Sequence, residues 1–438
     1  MVSADGRYSF EDCVLLKICL ADSAEILLIS CGVLCRKDKT MFLNRFFVRI
    51  CAACVLVVVA AACDGGSDAV SDYGFDRAVY HPRHSGGFAV DGRSDGGASL
   101  MLTVHTPWQG ADSVADARRL LLLAPGEDIP AGYTGQVVDG CARRIVAMST
   151  TQIAMLATAD SAGLAADALV GLSGLRYLSN DTLRSRFDDS ADVGYEGNVD
   201  YEKLAALSPD LVLLYGITSA SAMESKLESL GIPYTYIGEH ADSTPLGKAE
   251  WIVAAGYIAG RGTQAERAMS HIENRYESLV RHIRQYLDST QTELPSVMIN
   301  APYSGSWYMA GSESNVARMI ADAGGRYIYS GNPGATSRPV DFEEVFLLAD
   351  SADIWVNTGT ATTMAELLAM APRLAGTKPV VSGRVFNNTR RMQPGGGNDY
   401  FESGTVRPDV VLADLFSIFH PGAAVADPDS LYYYLRLQ

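Results

Sequence analysis

The residues able to do chemistry are of types that grip a molecule more readily than they transform one. A Gly-Ser-Trp-Tyr loop offers Trp307 and Tyr308, rings of the kind that stack on a flat ligand. Arg390 carries a guanidinium suited to a carboxylate or phosphate, and the nearby Gly395-Gly396-Gly397 run forms either a mobile rim or a long solvated turn. Against catalysis, the chain has no G-x-S-x-G, no G-x-x-x-x-G-K-[ST], no H-E-x-x-H and no EF-hand run. The 7 histidines are dispersed. His81, His84 and His105, with Trp108, lack metal-ligand spacing and read as packing residues. His271 and His282 fall on the polar side of one long amphipathic stretch, with His240 and His420 far away in sequence. Neither a bare metal ion as ligand nor a resident cofactor is expected.

A chain of 438 residues predicts two or three domains. With 48% hydrophobic and 20% charged residues it is globular, and 35 Lys+Arg against 51 Asp+Glu argue against nucleic acid as a partner. Of 8 cysteines only Cys63 and Cys141 lie beyond residue 60, so no disulfide framework holds the main body.

The N-terminal stretch reads as an address. Arg45 and Arg49 precede an apolar run, Ile50–Ala62, too short for a membrane span of about 20 residues. The run ends in Ala60-Ala61-Ala62-Cys63 and then Asp64-Gly65-Gly66-Ser67, which resembles a bacterial lipoprotein signal and implies lipidation of Cys63. The alternative is an ordinary secretory signal cut at Ala-x-Ala. Residues 1–40 fit poorly before such a signal and are expected to be a mis-started leader; 41–62 form the signal and 63–76 a tether. Between 77 and 139, alternation at Ser99–Val104, an apolar run at Arg119–Leu123 and turns at Pro107, Pro125-Gly126 and Pro130-Ala131-Gly132 predict short strands that pack on the first lobe.

From Arg144 onward the chain alternates strand and helix, the pattern of a mostly parallel sheet. Arg144–Met148 predicts a buried strand leading into a cap cluster, Ser149-Thr150-Thr151, and a helix. Asn198–Gly216 predicts a short helix capped by Asp200, a Pro209 stop and a strand buried on both faces. From Thr263 to Leu287, Ala265, Met269, Ile272, Tyr276, Leu279, Ile283 and Leu287 form one apolar stripe, with Thr263 and Glu266 as a capping-box start. That helix is a rod of about 37 Å. Beyond it, Ser296–Asn300, Ser314–Ala323 and Val340–Asn357 restate the pattern, and Val-Asp-aromatic-Glu recurs at 199–202 and 340–343. The expected fold is therefore α/β: two Rossmann-like lobes with mostly parallel sheets joined by a single long helix. The N-terminal lobe takes 77–246, helices including the joining rod 247–288, and the C-terminal lobe 289–438.

The Cys63 signal, Asn198–Gly216, Gly231-Ile232-Pro233, Glu250-Trp251-Ile252 and Val340–Gly359 resemble the helical-backbone (class III) substrate-binding lipoproteins of ABC importers, which take up vitamin B12-like corrinoids, ferric siderophores and haem. Asn387-Asn388 with Arg390, Gly397–Glu402 and Arg407–His420 are similar to the closing segment of a Bacteroidetes-type branch. The resemblance implies a cleft between rigid lobes with modest hinge motion, an ABC permease with its ATPase as partner, a monomer, and a place in the cell envelope facing the periplasm. It also implies that one acid per lobe meets the permease; Glu202 and Glu343 occupy those positions, where a first-turn Glu is already favoured by the helix dipole. Ligands of such proteins sit at loops that open helices. The candidates are Ser149, Thr150, Thr151, Arg176 and Tyr177 from the first lobe, and Tyr303, Trp307, Tyr308, Arg390, Asn398 and Tyr400 from the second. The expected activity is binding and delivery without catalysis. The competing readings are an envelope enzyme or cofactor-modifying protein on a similar scaffold, and a surface scavenger that needs no permease.

Overall fold

A computed structural model describes residues 73–423 and 430–438. Cys63, the leader and the signal lie outside the described residues. The β-rich segment forms a sheet of its own: β1 (Arg77–Tyr80), β2 (Phe88–Gly92), β3 (Leu100–Val104), β4 (Arg118–Leu123) and β5 (Gln136–Asp139), in that order and antiparallel except for β4 with β5. Alternation shows in β2, where Phe88, Val90 and Gly92 are buried and Ala89 and Asp91 less so. Phe88 packs on Trp251 with ring centroids 4.8 Å apart, which fastens this sheet to the first lobe.

The first lobe runs β6 (Ile145–Ala147), α1 (Thr150–Ala159), β7 (Leu169–Leu172), α2 (Asp181–Arg184), α3 (Tyr201–Ala206), β8 (Leu211–Leu214), α4 (Glu224–Leu230) and β9 (Tyr234–Tyr236). Its sheet is parallel in the order β7-β6-β8-β9, and β6, β8 and β9 are buried along their whole length, as strands covered on both faces are. Gly231, at φ 65°, closes α4 in a left-handed turn.

Two helices then leave the lobe, α5 (Pro245–Ile258) and α6 (Gly262–Thr290). The predicted stripe is the buried face of α6: Ala265, Met269, Ile272, Tyr276 and Ile283 are buried, joined by Val280, while Leu279 and Leu287 are partly covered. The capping box is corrected. Arg261 is the cap residue, with no side-chain bond, and Thr263 lies inside the first turn. The turn from α5 is so tight, with Gly256 against Ala265, that the Tyr257 hydroxyl reaches Glu266 and takes the carboxylate meant for the cap. One end of α6 packs on α5 and α1. The other meets the second lobe, where Tyr276 donates to Asp322 at 2.8 Å and Tyr286 stands edge-on to Phe416.

The second lobe contains β10 (Ser296–Ile299), β11 (Trp307–Met309), α7 (Asn315–Asp322), β12 (Arg326–Tyr327), β13 (Arg338–Val340), α8 (Phe342–Ala349), β14 (Ile354–Val356), α9 (Met364–Met370), α10 (Lys378–Val381), β15 (Val385–Asn387), α11 (Asp399–Val406), α12 (Pro408–Phe419) and β16 (Leu435–Arg436). The main sheet, β12-β10-β14-β15-β16, is parallel up to its antiparallel edge β16, and β11 with β13 makes a separate ribbon. Although α11 comes after most of this sheet in sequence, it lies along α1 of the first lobe. There Phe401 O accepts from the Thr151 hydroxyl at 2.8 Å, and the Glu402 carboxylate accepts the Ser179 and Asn180 amides at 2.6 and 2.8 Å.

Candidate functional site

Between the lobes lies a cleft of about 700 Å³ with a wall from each. Its geometry follows from the two parallel sheets, whose strands end where helices begin. In the second lobe the chain leaves β10 and β14 through Asn300 and Asn357, at φ 67° and 58°. Asparagine tolerates this left-handed turn better than most residues, and the turn places both carboxamides on the cleft wall. Asn388 joins them just beyond β15. Second contacts hold the first two: Asn300 Nδ2 donates to Tyr308 O at 2.7 Å and Asn357 Oδ1 accepts from Tyr434 at 2.8 Å. Asn387, fully buried, donates to Gly359 O and Ala361 O at 2.9 and 2.7 Å and fixes the loop after β14.

Five helix starts face the cleft: Thr150 at α1, Pro245 at α5, Asn315 at α7, Asn398 before α11 and Pro408 at α12. The first four carry side-chain caps, Ser149 on Thr151 N, Thr244 on Gly247 N, Ser314 on Ala317 N and Asn398 on Tyr400 N. Together they give the cleft a positive polarity without charged side chains. Its charged lining residues are Asp242 and Lys248. Asp242 is committed inward, accepting from Ser85 at 2.7 Å and from the Trp251 indole at 2.6 Å. Burial lowers the Lys248 ammonium below its ordinary range and pushes the Glu239 carboxyl behind it up to about 7. Burial likewise holds His240, on the same wall, mainly neutral.

Of the residues expected to bind ligand, Thr150, Tyr177, Asn398 and Tyr400 line the cleft. Ser149 and Thr151 stand at its edge with other duties, the first as the cap of α1 and the second bonded to α11. Arg176 is exposed and lies over the Tyr177 ring, 4.4 Å from its centre. Tyr303 and Tyr308 are exposed outside the cleft lining. Trp307 is a correction: it is fully buried, donates to Ile299 O at 3.2 Å and stacks on Trp355. The loop is a strand, and its period of two turns Trp307 inward and Tyr308 outward. Arg390 is exposed and outside the lining, its amide bonded to Tyr433 O at 3.2 Å. The Gly395–Gly397 run packs tightly: a Cβ on Gly397 would come within 1.9 Å of Tyr177 O. Sequence reasoning missed Gln109, His240, Lys248, Asn300, Asn357 and Asn388. The three asparagines did carry a signal, each standing at the exit of an apolar strand. Glu202 and Glu343 sit exposed in the first turns of α3 and α8, and Glu343 pairs with Arg373 at 3.2 Å.

The model of the family described as periplasmic binding protein matches residues 145–390. Two uncharacterized lipoproteins of Methanocaldococcus jannaschii are similar in sequence. One is 23% identical over 322 residues, 70% of this chain and 74% of its own. The other is 26% identical over 337 residues, 74% and 81%. Among solved structures, a periplasmic heme binding protein from Pseudomonas aeruginosa superposes with a TM-score of 0.51 at 19% identity, over 66% of this chain and 96% of its own. Periplasmic heme-binding protein RhuT from Roseiflexus sp. RS-1 does so with 0.50 at 19%, over 64% and 99%. The fold is shared with these structures, and with more than half of its length matched, the chain belongs to the periplasmic binding protein family.

Proposed function

We propose that this protein is the lipid-anchored capture component of an ABC importer, taking a corrinoid or an iron chelate (haem or ferric siderophore) into the inter-lobe cleft and delivering it to the permease and its ATPase. The observation that carries the reading is the cleft itself, about 700 Å³ and walled by strand ends and helix starts of both lobes. That is room for a ligand of drug size or larger, gripped from two sides. The rod α6 supports delivery with little hinge motion, since bending it would break its hydrogen-bond ladder. The sequence around Cys63 and the lipoprotein relatives support an acyl anchor. Glu202 and Glu343, exposed on matching helices, are the proposed permease contacts.

The cargo is tested by the absorption spectrum of protein purified from its host: a corrin, haem or ferric-catecholate band is expected, and a colourless protein that takes up none of these overturns the cargo. Delivery is tested separately. Glu202→Arg with Glu343→Arg is expected to abolish uptake while ligand affinity of the purified protein stays unchanged. Unimpaired uptake by that variant overturns docking through these residues.

A further inference from the structure

Among the described residues, the cleft lining combines many neutral hydrogen-bonding groups with a single free cation. Gln109, Asn300, Asn315, Asn357, Asn388 and Asn398 set six carboxamides on its walls, and each keeps at least one donor or acceptor beyond the contacts already described. Lys248 is the sole lysine or arginine of that lining. It stands in the first turns of α5, whose N-terminus opens on the cleft at Pro245. The residue is half-buried on the cleft wall, its ammonium donates no hydrogen bond among the described residues, and its electrostatic neighbours are Glu239 and Asp242. Asp242 is already engaged by Ser85 and Trp251, and Glu239 Oε2 is buried without a hydrogen-bond partner. An ammonium on a cleft wall with no hydrogen-bonding partner is open to a ligand, and an anion arriving there gains both the charge and the helix dipole.

We infer that Lys248 and the start of α5 seat one anionic group, a phosphodiester or a carboxylate, of a cargo that is otherwise neutral and rich in hydrogen-bonding groups. The inference rests on the proposed corrinoid or chelate reading and narrows it. A corrinoid that keeps its nucleotide loop meets the description, with peripheral amides for the carboxamide wall and one phosphodiester for Lys248. A ferric tris-catecholate, with its several negative charges, finds only one cation among the described lining residues. Below about pH 7 protonated Glu239 no longer offsets the Lys248 charge, which leaves Asp242, already engaged by Ser85 and Trp251, as its acidic neighbour. His240, neutral on the same wall, and the committed Asp242 add no second anion site.

The test titrates wild type, Lys248→Met and Lys248→Arg with three probes at neutral pH: cobalamin, which carries the phosphodiester, cobinamide, which lacks it, and ferric haem, which carries carboxylates. Wild type is expected to prefer cobalamin to cobinamide by tenfold or more. Lys248→Met should lose that preference by weakening cobalamin at least tenfold with cobinamide unchanged, and Lys248→Arg should recover most of it. Unaltered circular dichroism and unchanged cobinamide affinity guard against a folding defect. Equal loss for both corrinoids, or no loss for cobalamin, overturns the role of Lys248 while leaving the corrinoid reading intact. Binding of haem alone instead removes the corrinoid and identifies a carboxylate as the anion, provided Lys248→Met weakens haem; undiminished haem binding overturns the inference. If wild type takes none of the three, the inference falls together with the cargo reading.

Discussion

Val199-Asp200-Tyr201-Glu202 and Val340-Asp341-Phe342-Glu343 open corresponding helices in the two lobes, yet their surroundings hold them differently. In the first lobe Asp200 accepts the Lys203 amide at 2.9 Å, and the Lys203 ammonium turns back to Asp189 O and Asp192 O. In the second, Asp341 occupies the cap position without a side-chain bond. Glu343 is drawn to Arg373, whose guanidinium lies 4.0 Å from the Phe346 ring centre. The backbone geometry is repeated and the energetics are not. The larger asymmetry has the same character. The first lobe carries an additional five-stranded sheet, whereas the second, among the described residues, carries only the β11–β13 ribbon beside its main sheet. A duplicated architecture thus fixes where helices start, and each lobe then recruits its own stabilising contacts.

The strongest way to break the comparison is at Glu250. This carboxylate, 1% exposed, accepts the amides of Arg83, His84 and Ser85 at 2.9, 2.8 and 2.8 Å and the Tyr80 hydroxyl at 2.7 Å. It rivets the leading sheet to α5. Glu250→Ala orphans buried donors and is expected to cost about 3–5 kcal/mol. Hydrogen exchange should show the loss in β6 and β8 before β10 and β14. Equal loss in all four strands would mean that the lobes unfold as one unit and the asymmetry has no energetic content.

Next in size is a dependence on pH that the first lobe should show. Glu239 titrates near 7 in the folded protein because of burial, against 4.5 for an unperturbed carboxyl. The folded state therefore holds the proton more tightly, and stability falls as pH rises from about 4.5 to about 7. A shift of that size corresponds to about 3 kcal/mol. Urea midpoints measured from pH 5 to 8 should decline, and Glu239→Gln should reduce the slope to the part supplied by Glu402, whose carboxyl is likewise pushed up to about 7 by burial. An unchanged slope in that variant would place the proton elsewhere.

The contacts between lobes are weaker and repeat the lesson at the middle of the molecule. Glu402 on α11 accepts two first-lobe amides, and Glu402→Ala leaves both without a partner, at an expected cost of about 2 kcal/mol. The readout that matters is the relation of the lobes. Solution scattering should show a wider or more variable cleft in the variant, while one indistinguishable from wild type would mean that α6 and the remaining α1–α11 contacts, among them Thr151 with Phe401 O, set the spacing.

How much of this was legible in the sequence depends on whether the cause was local. Helix α6, the caps at Ser149 and Asp200, the left-handed stop at Gly231 and the buried strands follow from spacing and from residue chemistry within a few positions. Thr263 failed as a cap because Tyr257 from the preceding helix took Glu266, and Trp307 failed as a stacking ring because its loop paired with β13 into a ribbon. The site suffered most. Thr150, Tyr177, Asn398 and Tyr400 reach the cleft, whereas Lys248 sat unremarked in a helix start and His240, in a short turn, stood out only as remote from the other histidines. Nothing near them in sequence announces a cleft, since the facing wall is built by the second lobe, far along the chain.

The smallest expected effect tests the repeat itself. Asp200→Ala removes a capping bond and should cost about 1 kcal/mol, the ordinary value for an N-cap. Asp341→Ala removes a side chain without a bond and should cost only about 0.3 kcal/mol, the residue acting through the helix dipole alone. Both positions are exposed, and neither substitution leaves a cavity, so the difference isolates the hydrogen bond. Chemical denaturation of the two variants side by side measures it. Equal costs would mean that Asp341 bonds its helix in solution as Asp200 does, and the two copies would then be alike in energy as well as in backbone.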